Sequence, residues 1–133
     1  MIDDLQTAGR RIGQSRILLG REAEIGPGVR RAAALVARQA LEELVDVLWQ
    51  QRGLGDMADA SMRTQLLCLR DVLEPELAGS VSWNWGTMST VSHDRGYAMV
   101  PSVQQIEHCL EAALELYEYT AGATAENRLN SVS

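Results

Sequence analysis

The chain has 133 residues, 46% of them apolar, and a formal net charge of −6. That length suits one domain able to bury a core without staples, and the apolar share excludes wholesale disorder. The acidic balance speaks against a general nucleic-acid or membrane-surface binder, which needs a positive field.

Five helical segments are predicted in chain order. The first covers about residues 2 to 24, with Leu5, Ala8, Ile12 and Leu19 on one face at helical spacing. Asp3 and Asp4 sit near its start, where the helix dipole favours them. Ile25-Gly26-Pro27-Gly28 ends it, Gly as the breaker and Pro opening the next helix. The second segment, about residues 27 to 51, carries a continuous stripe of Val29, Ala33, Val36, Ala40, Leu44 and Val47. Arg38 and Glu42 form an i,i+4 pair on its other side. Its many Ala residues permit close approach of a neighbouring helix or of a second copy, and Gly53 and Gly55 close it. The third segment, about residues 59 to 77, has Met62, Leu66, Leu69, Leu73 and Leu77 as its stripe, with Pro75 expected to kink or end it. Gly79-Ser80 is expected to break the chain.

The fourth segment, about residues 81 to 92, combines Trp83, Trp85 and Gly86 with Ser and Thr, which are weak helix formers. It is predicted as a short or irregular helix leading into a loop at Asp94-Arg95-Gly96. Ser102 and Gln105 then fit a capping box. The fifth helix lines up Val103, Ile106, Leu110, Ala113, Leu114 and Tyr117 as far as about Ala121. The expected fold is all-α: an up-and-down bundle of four main helices plus one short irregular helix. Residues 1–125 form the single domain, and 126–133 are read as a frayed polar tail.

Cys68 and Cys109 lie inside apolar helical stretches, read as buried thiols of a reduced cytosol. No CxxC or zinc spacing is present. The acidic N-terminus is unlike a signal peptide, and no apolar run approaches the ~20 residues of a membrane span. The expected location is cytoplasmic, with no membrane partner. All twelve basic residues are Arg, the side chain suited to planar, bidentate contacts.

Chemistry concentrates between Trp83 and Tyr97. His93 titrates near neutrality and stands beside Asp94 and Arg95, so it can serve as acid or base while Arg95 binds a phosphate. The alternative is a His that caps the segment. Tyr97 can pack its ring and donate its hydroxyl. Trp83 and Trp85 are candidate anchors of a core or of an interface, where Trp is enriched. Stacking on a nucleobase is the other use of such rings. His108 lies between Glu107 and Glu111, but the Glu-x-x-His spacing of di-iron bundles fails because position 105 is Gln. No metal ligand set or cofactor is predicted. Arg63 and Arg70 are seven residues apart in the third segment. They either share a groove with His93, or are solvated, or pair with Glu74 and Asp71.

A helical bundle with His93 just before the last long helix resembles the HEPN superfamily, and the resemblance covers about residues 27 to 121. It implies a small homodimeric bundle of bacterial defence or toxin–antitoxin systems, often a ribonuclease. The family pattern is an Arg, four to six residues, then a His. His93 matches the His, whereas Gly86, Thr87 and Met88 stand where the Arg belongs. The expectation is therefore a non-catalytic, self-associating interaction or regulatory protein. Its alternatives are a metal-independent ribonuclease using His93 and Arg95 on RNA, and a bundle that binds a small molecule in a central cavity.

Overall fold

A computed structural model describes residues 2–90 and 100–132, with side-chain environments for 4–90 and 100–126. Among the described residues there are six α-helices and no strand, so the chain is an all-α bundle. The helices are α1 (Ile2–Gly20), α2 (Glu22–Ile25), α3 (Gly28–Gln51), α4 (Met62–Cys68), α5 (Pro75–Ser89) and α6 (Val103–Val132).

α1 buries Ala8, Ile12 and Ser15, which share one face at a spacing of four and three. It stops at Gly20, not at about residue 24. One further turn, α2, follows before Gly26 adopts φ +114°, a conformation that glycine takes without steric cost. α3 is buried on most of its circumference. Ala33, Ala34, Ala37, Ala40, Leu41, Leu44, Val45, Val47 and Leu48 are fully inaccessible. Arg38 and Glu42 pair at 3.2 Å on its remaining side. Its C-terminus closes in a Schellman motif. Leu54 N donates to Trp49 O at 2.8 Å and Gly53 N to Gln50 O at 3.1 Å, with Gly53 at φ +71°.

The third and fourth predicted segments exchange roles. Residues 59–77 are the irregular part: α4 is only seven residues long and runs into a 3-10 turn over Leu69–Asp71. Ser61 caps α4 by accepting from Thr64 N at 3.2 Å. Pro75 does not kink a helix but opens one, in the first turn of α5, where its missing N–H costs nothing. Gly79-Ser80 lies inside α5, which is a regular helix of 15 residues. Its Ser, Thr and Asn side chains are satisfied within the helix: Asn84 Nδ2 donates to Ser80 O at 2.8 Å, Thr87 Oγ1 to Trp83 O at 3.0 Å and Ser89 Oγ to Trp85 O at 2.8 Å. Burial of Ala78, Val81, Asn84 and Met88 at helical spacing outweighs the poor propensity of these residues.

The capping box forms as expected. Ser102 N donates to Gln105 Oε1 at 2.8 Å and Gln105 N to Ser102 Oγ at 3.1 Å. α6 then continues to Val132, beyond the predicted end at Ala121.

Four long helices make the bundle. Arg11 donates to Glu43 and Gln39, and Ser15 Oγ donates to Ala33 O at 2.8 Å. The contacts retreat along α3 as α1 advances, so the two are antiparallel. Gly9 meets the ring of Tyr117, while Leu19 and Gly20 flank Val103, so α1 is antiparallel to α6 as well. α3 and α6 therefore run in the same direction. Gln51 Nε2 ties their ends by donating to Thr120 O at 2.7 Å and Thr124 Oγ1 at 2.6 Å. α1 and α5 each pack against both.

Trp49 fills the end of the core at 1% exposure. Its Nε1 donates to Gln65 Oε1 at 3.1 Å, and Gln65 Nε2 donates to Ala60 O at 2.8 Å. Gln65→Leu leaves a buried indole N–H and a carbonyl without partners. The expected loss is about 2 kcal/mol, read as a lower urea midpoint at unchanged slope. Burial pushes the Cys109 thiol up from 9.0 to about 12. The folded state thus holds this proton more tightly than the unfolded chain. The resulting stability is complete below about pH 9 and lost as pH rises towards 12. The urea stability of the wild type is expected to fall more steeply over that window than that of Cys109→Ala.

Candidate interaction surface

The outward side of α5 follows from its inward one. Ala78, Val81, Asn84 and Met88 face the core, and at 100° per residue Trp83 points away from that stripe. Trp83 is 76% exposed, far more than a Trp that fills a core. Leu67 of α4 is 69% exposed and belongs to the neighbouring wall. Between the two helices runs an open groove lined by Arg63, Leu66, Leu67, Ser82, Trp85 and Gly86. It continues into a hollow where Arg70 lies beside Gly79, Trp83 and Thr87.

Trp83 and Trp85 therefore differ. Trp85 is half-buried against the core cluster, and its Nε1 is enclosed without a hydrogen-bond partner among the described residues. It belongs to the seam between α4 and α5, and only Trp83 is presented outward. Arg63 and Arg70 are both exposed. Neither pairs with Asp71 or Glu74 among the described residues.

The opposite flank of α5, its seam with α6, is acidic. Glu74, Glu76, Glu115 and Glu118 line it with Leu77, Ser80 and Tyr119. Arg52 anchors one end of this region by donating to Tyr119 Oη at 2.6 Å and Val72 O at 3.1 Å. α5 thus lies between a basic and an acidic flank.

His93, Arg95 and Tyr97 lie outside the described residues. His108 is exposed on α6. Among the described residues no group of three or more His, Cys, Asp and Glu is placed to hold a metal ion, and no helix is long and apolar enough to cross a membrane. Two further hollows follow the α1–α6 seam, around Arg16 and Glu107 and around Gly9 and Tyr117. Both are surface grooves and not the central cavity that a small-molecule bundle calls for.

Sequence reasoning missed three residues: Trp49 and Gln65, the buried pair, and Leu67 on the surface. Leu67 had a legible signal. It falls off the Met62-Leu66-Leu69-Leu73 stripe, so a helix that buries the stripe must expose it. No protein-family model, curated protein or solved structure matches the chain.

The two Trp residues are separable by stability. Trp85→Ala removes a ring packed on the core and is expected to cost about 2–3 kcal/mol. Trp83→Ala is expected to stay within about 0.5 kcal/mol, both read by urea denaturation followed by circular dichroism at protein concentrations low enough to keep the chain monomeric.

Proposed function

We propose that this chain is a non-catalytic, HEPN-like helical interaction and regulatory protein that associates with itself, working in a bacterial defence or toxin–antitoxin setting. The single observation that carries the reading is Trp83, 76% exposed on a regular helix. A Trp in water forgoes a large hydrophobic gain that docking would recover. Leu67 beside it widens the apolar patch, and charged residues rim it, an arrangement common at interaction sites.

The residues at the family's Arg positions support the non-catalytic part. Gly86 and Thr87 carry no charge, and Met88 is fully buried in the core. A phosphate-binding guanidinium has no source at any of the three. The setting rests on the HEPN resemblance alone, whereas the mechanism, helix-face packing through α5, rests on the exposed ring.

Light scattering coupled to size-exclusion chromatography tests the reading. The wild type is expected to elute as a dimer or small oligomer. Trp83→Ala is expected to weaken association at least 30-fold, the conversion of about 2 kcal/mol for an interface Trp, with circular dichroism unchanged. An assembly state that does not respond to Trp83→Ala refutes this face as the site of association.

A further inference from the structure

We infer that the face of α5 docks a second copy of this chain about a two-fold axis, laying the arginine flank of each copy over the carboxylate flank of the other. The inference rests on the reading of Trp83 as a self-association anchor and adds the symmetry and orientation of the contact.

Charges border the exposed ring on both sides. On the α4 side stand Arg63 and Arg70. On the α6 side stand Glu76, Glu115 and Glu118. All five are exposed, and none forms an ion pair among the described residues. One face therefore carries both signs, separated by the width of a helix, with Trp83 between them. A surface of this kind is complementary to itself, because a two-fold operation exchanges the halves of a face.

The sign pattern selects the orientation. A two-fold axis in the contact plane and close to the direction of α5 turns the partner's left flank onto the right. Arg63 and Arg70 then meet carboxylates, and the contact occurs twice. An axis across α5 makes the two helices antiparallel and sets Arg over Arg and Glu over Glu, which opposes association. The flanks are also staggered. The acidic residues adjoin the first turns of α5, Glu76 to Ser80. Arg63 adjoins the stretch from Ser82 to Gly86 further along. Bringing them into register tilts the axis from α5, so the two α5 helices run in the same sense and cross at an acute angle. Trp83 sits on the carboxylate side of the outward face, and Gly79 and Gly86 on the arginine side. A methyl group added to either glycine would meet no atom within 4 Å, so this side of the outward face is open to an approaching surface.

Charge exchange tests this. Two full-length variants are made, Arg63→Glu with Arg70→Glu, and Glu115→Arg with Glu118→Arg. Each alone meets its own like charges in the proposed dimer and is expected to associate at least tenfold more weakly than wild type by analytical ultracentrifugation. Mixed in equal amounts they present opposite charges at both contacts and are expected to recover a heterodimer of near wild-type affinity. The mixed pair carries the same total charge as two wild-type copies, so long-range repulsion is held constant. Unaltered self-association of both variants overturns the inference. So does preferential pairing of the arginine-flank variant with wild type, the signature of antiparallel α5 helices. A wild type that stays monomeric at its highest soluble concentration overturns it as well. If the charge variants behave as wild type while Trp83→Ala is monomeric, the orientation fails and the anchor stands. If Trp83→Ala associates normally, the anchor itself fails.

Discussion

The close approach of α3 to α6 is the constraint on which the rest of the bundle depends. In an up-and-down bundle of four helices these two, running in the same direction, occupy one diagonal. They are in contact, and their buried positions include many small ones: Ala33, Ala34, Ala37 and Ala40 on α3, Cys109, Ala112 and Ala113 on α6. Small side chains let helix axes come near, and close packing makes that approach intolerant of added volume. The square is thereby flattened into a rhombus. α1 and α5 sit at its outer corners, and each packs against both central helices. A helix at an outer corner has a wide free side. On α1 that side is mostly polar among the described residues, with Ile17 as a large apolar exception. On α5 it is the side that carries Trp83.

The surface around Trp83 is held from inside. Trp49 closes the core at the end of α3, and its indole N–H needs an acceptor because it is buried. Gln65 supplies the acceptor and uses its own amide on Ala60 O. That chain of contacts sets the position of α4, a helix too short to be stable alone. α4 in turn forms the second wall of the groove, placing Leu67 and Arg63 beside α5. Trp85 fills the seam between them. A polar network therefore fixes the geometry of an exposed patch, although its two side chains, Trp49 and Gln65, are buried.

The fold class and the long helices were legible because their signals were dense. α3 has a continuous stripe and a glycine at the left-handed position that ends it. The capping box at Ser102 and Gln105 marks the start of α6 to the residue. What was illegible turned on context. Pro75 carries the same local meaning whether it stops a helix or starts one, and only the packing of Ala78 and Val81 decides between them. The Ser and Thr residues of α5 count against a helix in isolation, yet each of those at positions 87 and 89 returns a bond to the carbonyl four residues back. The Trp pair shows the same limit. Two residues apart, Trp83 and Trp85 invite one role, but two residues on a helix span about 200°, and the phase of α5 sends one ring to the seam and the other to water. That phase depended on the start of the helix at Pro75, which the sequence left ambiguous.

In the proposed dimer, the charge pattern keeps the exposed Trp83 from leading to open-ended association. Each copy carries a net charge of −6, so approach between copies is opposed at any face that lacks compensating cations. Arg63 and Arg70 supply such compensation beside Trp83, where the apolar gain is also concentrated. In a two-fold contact both flanks of both copies are consumed together, leaving neither an arginine pair nor a carboxylate cluster to recruit another molecule. A head-to-tail contact would leave one of each unsatisfied and propagate. Closure follows from placing the opposite charges on the two sides of a single helix face rather than on separate faces of the molecule. The planar guanidinium strengthens the effect, since it can meet a carboxylate through two parallel hydrogen bonds, a geometry that fixes orientation as well as sign.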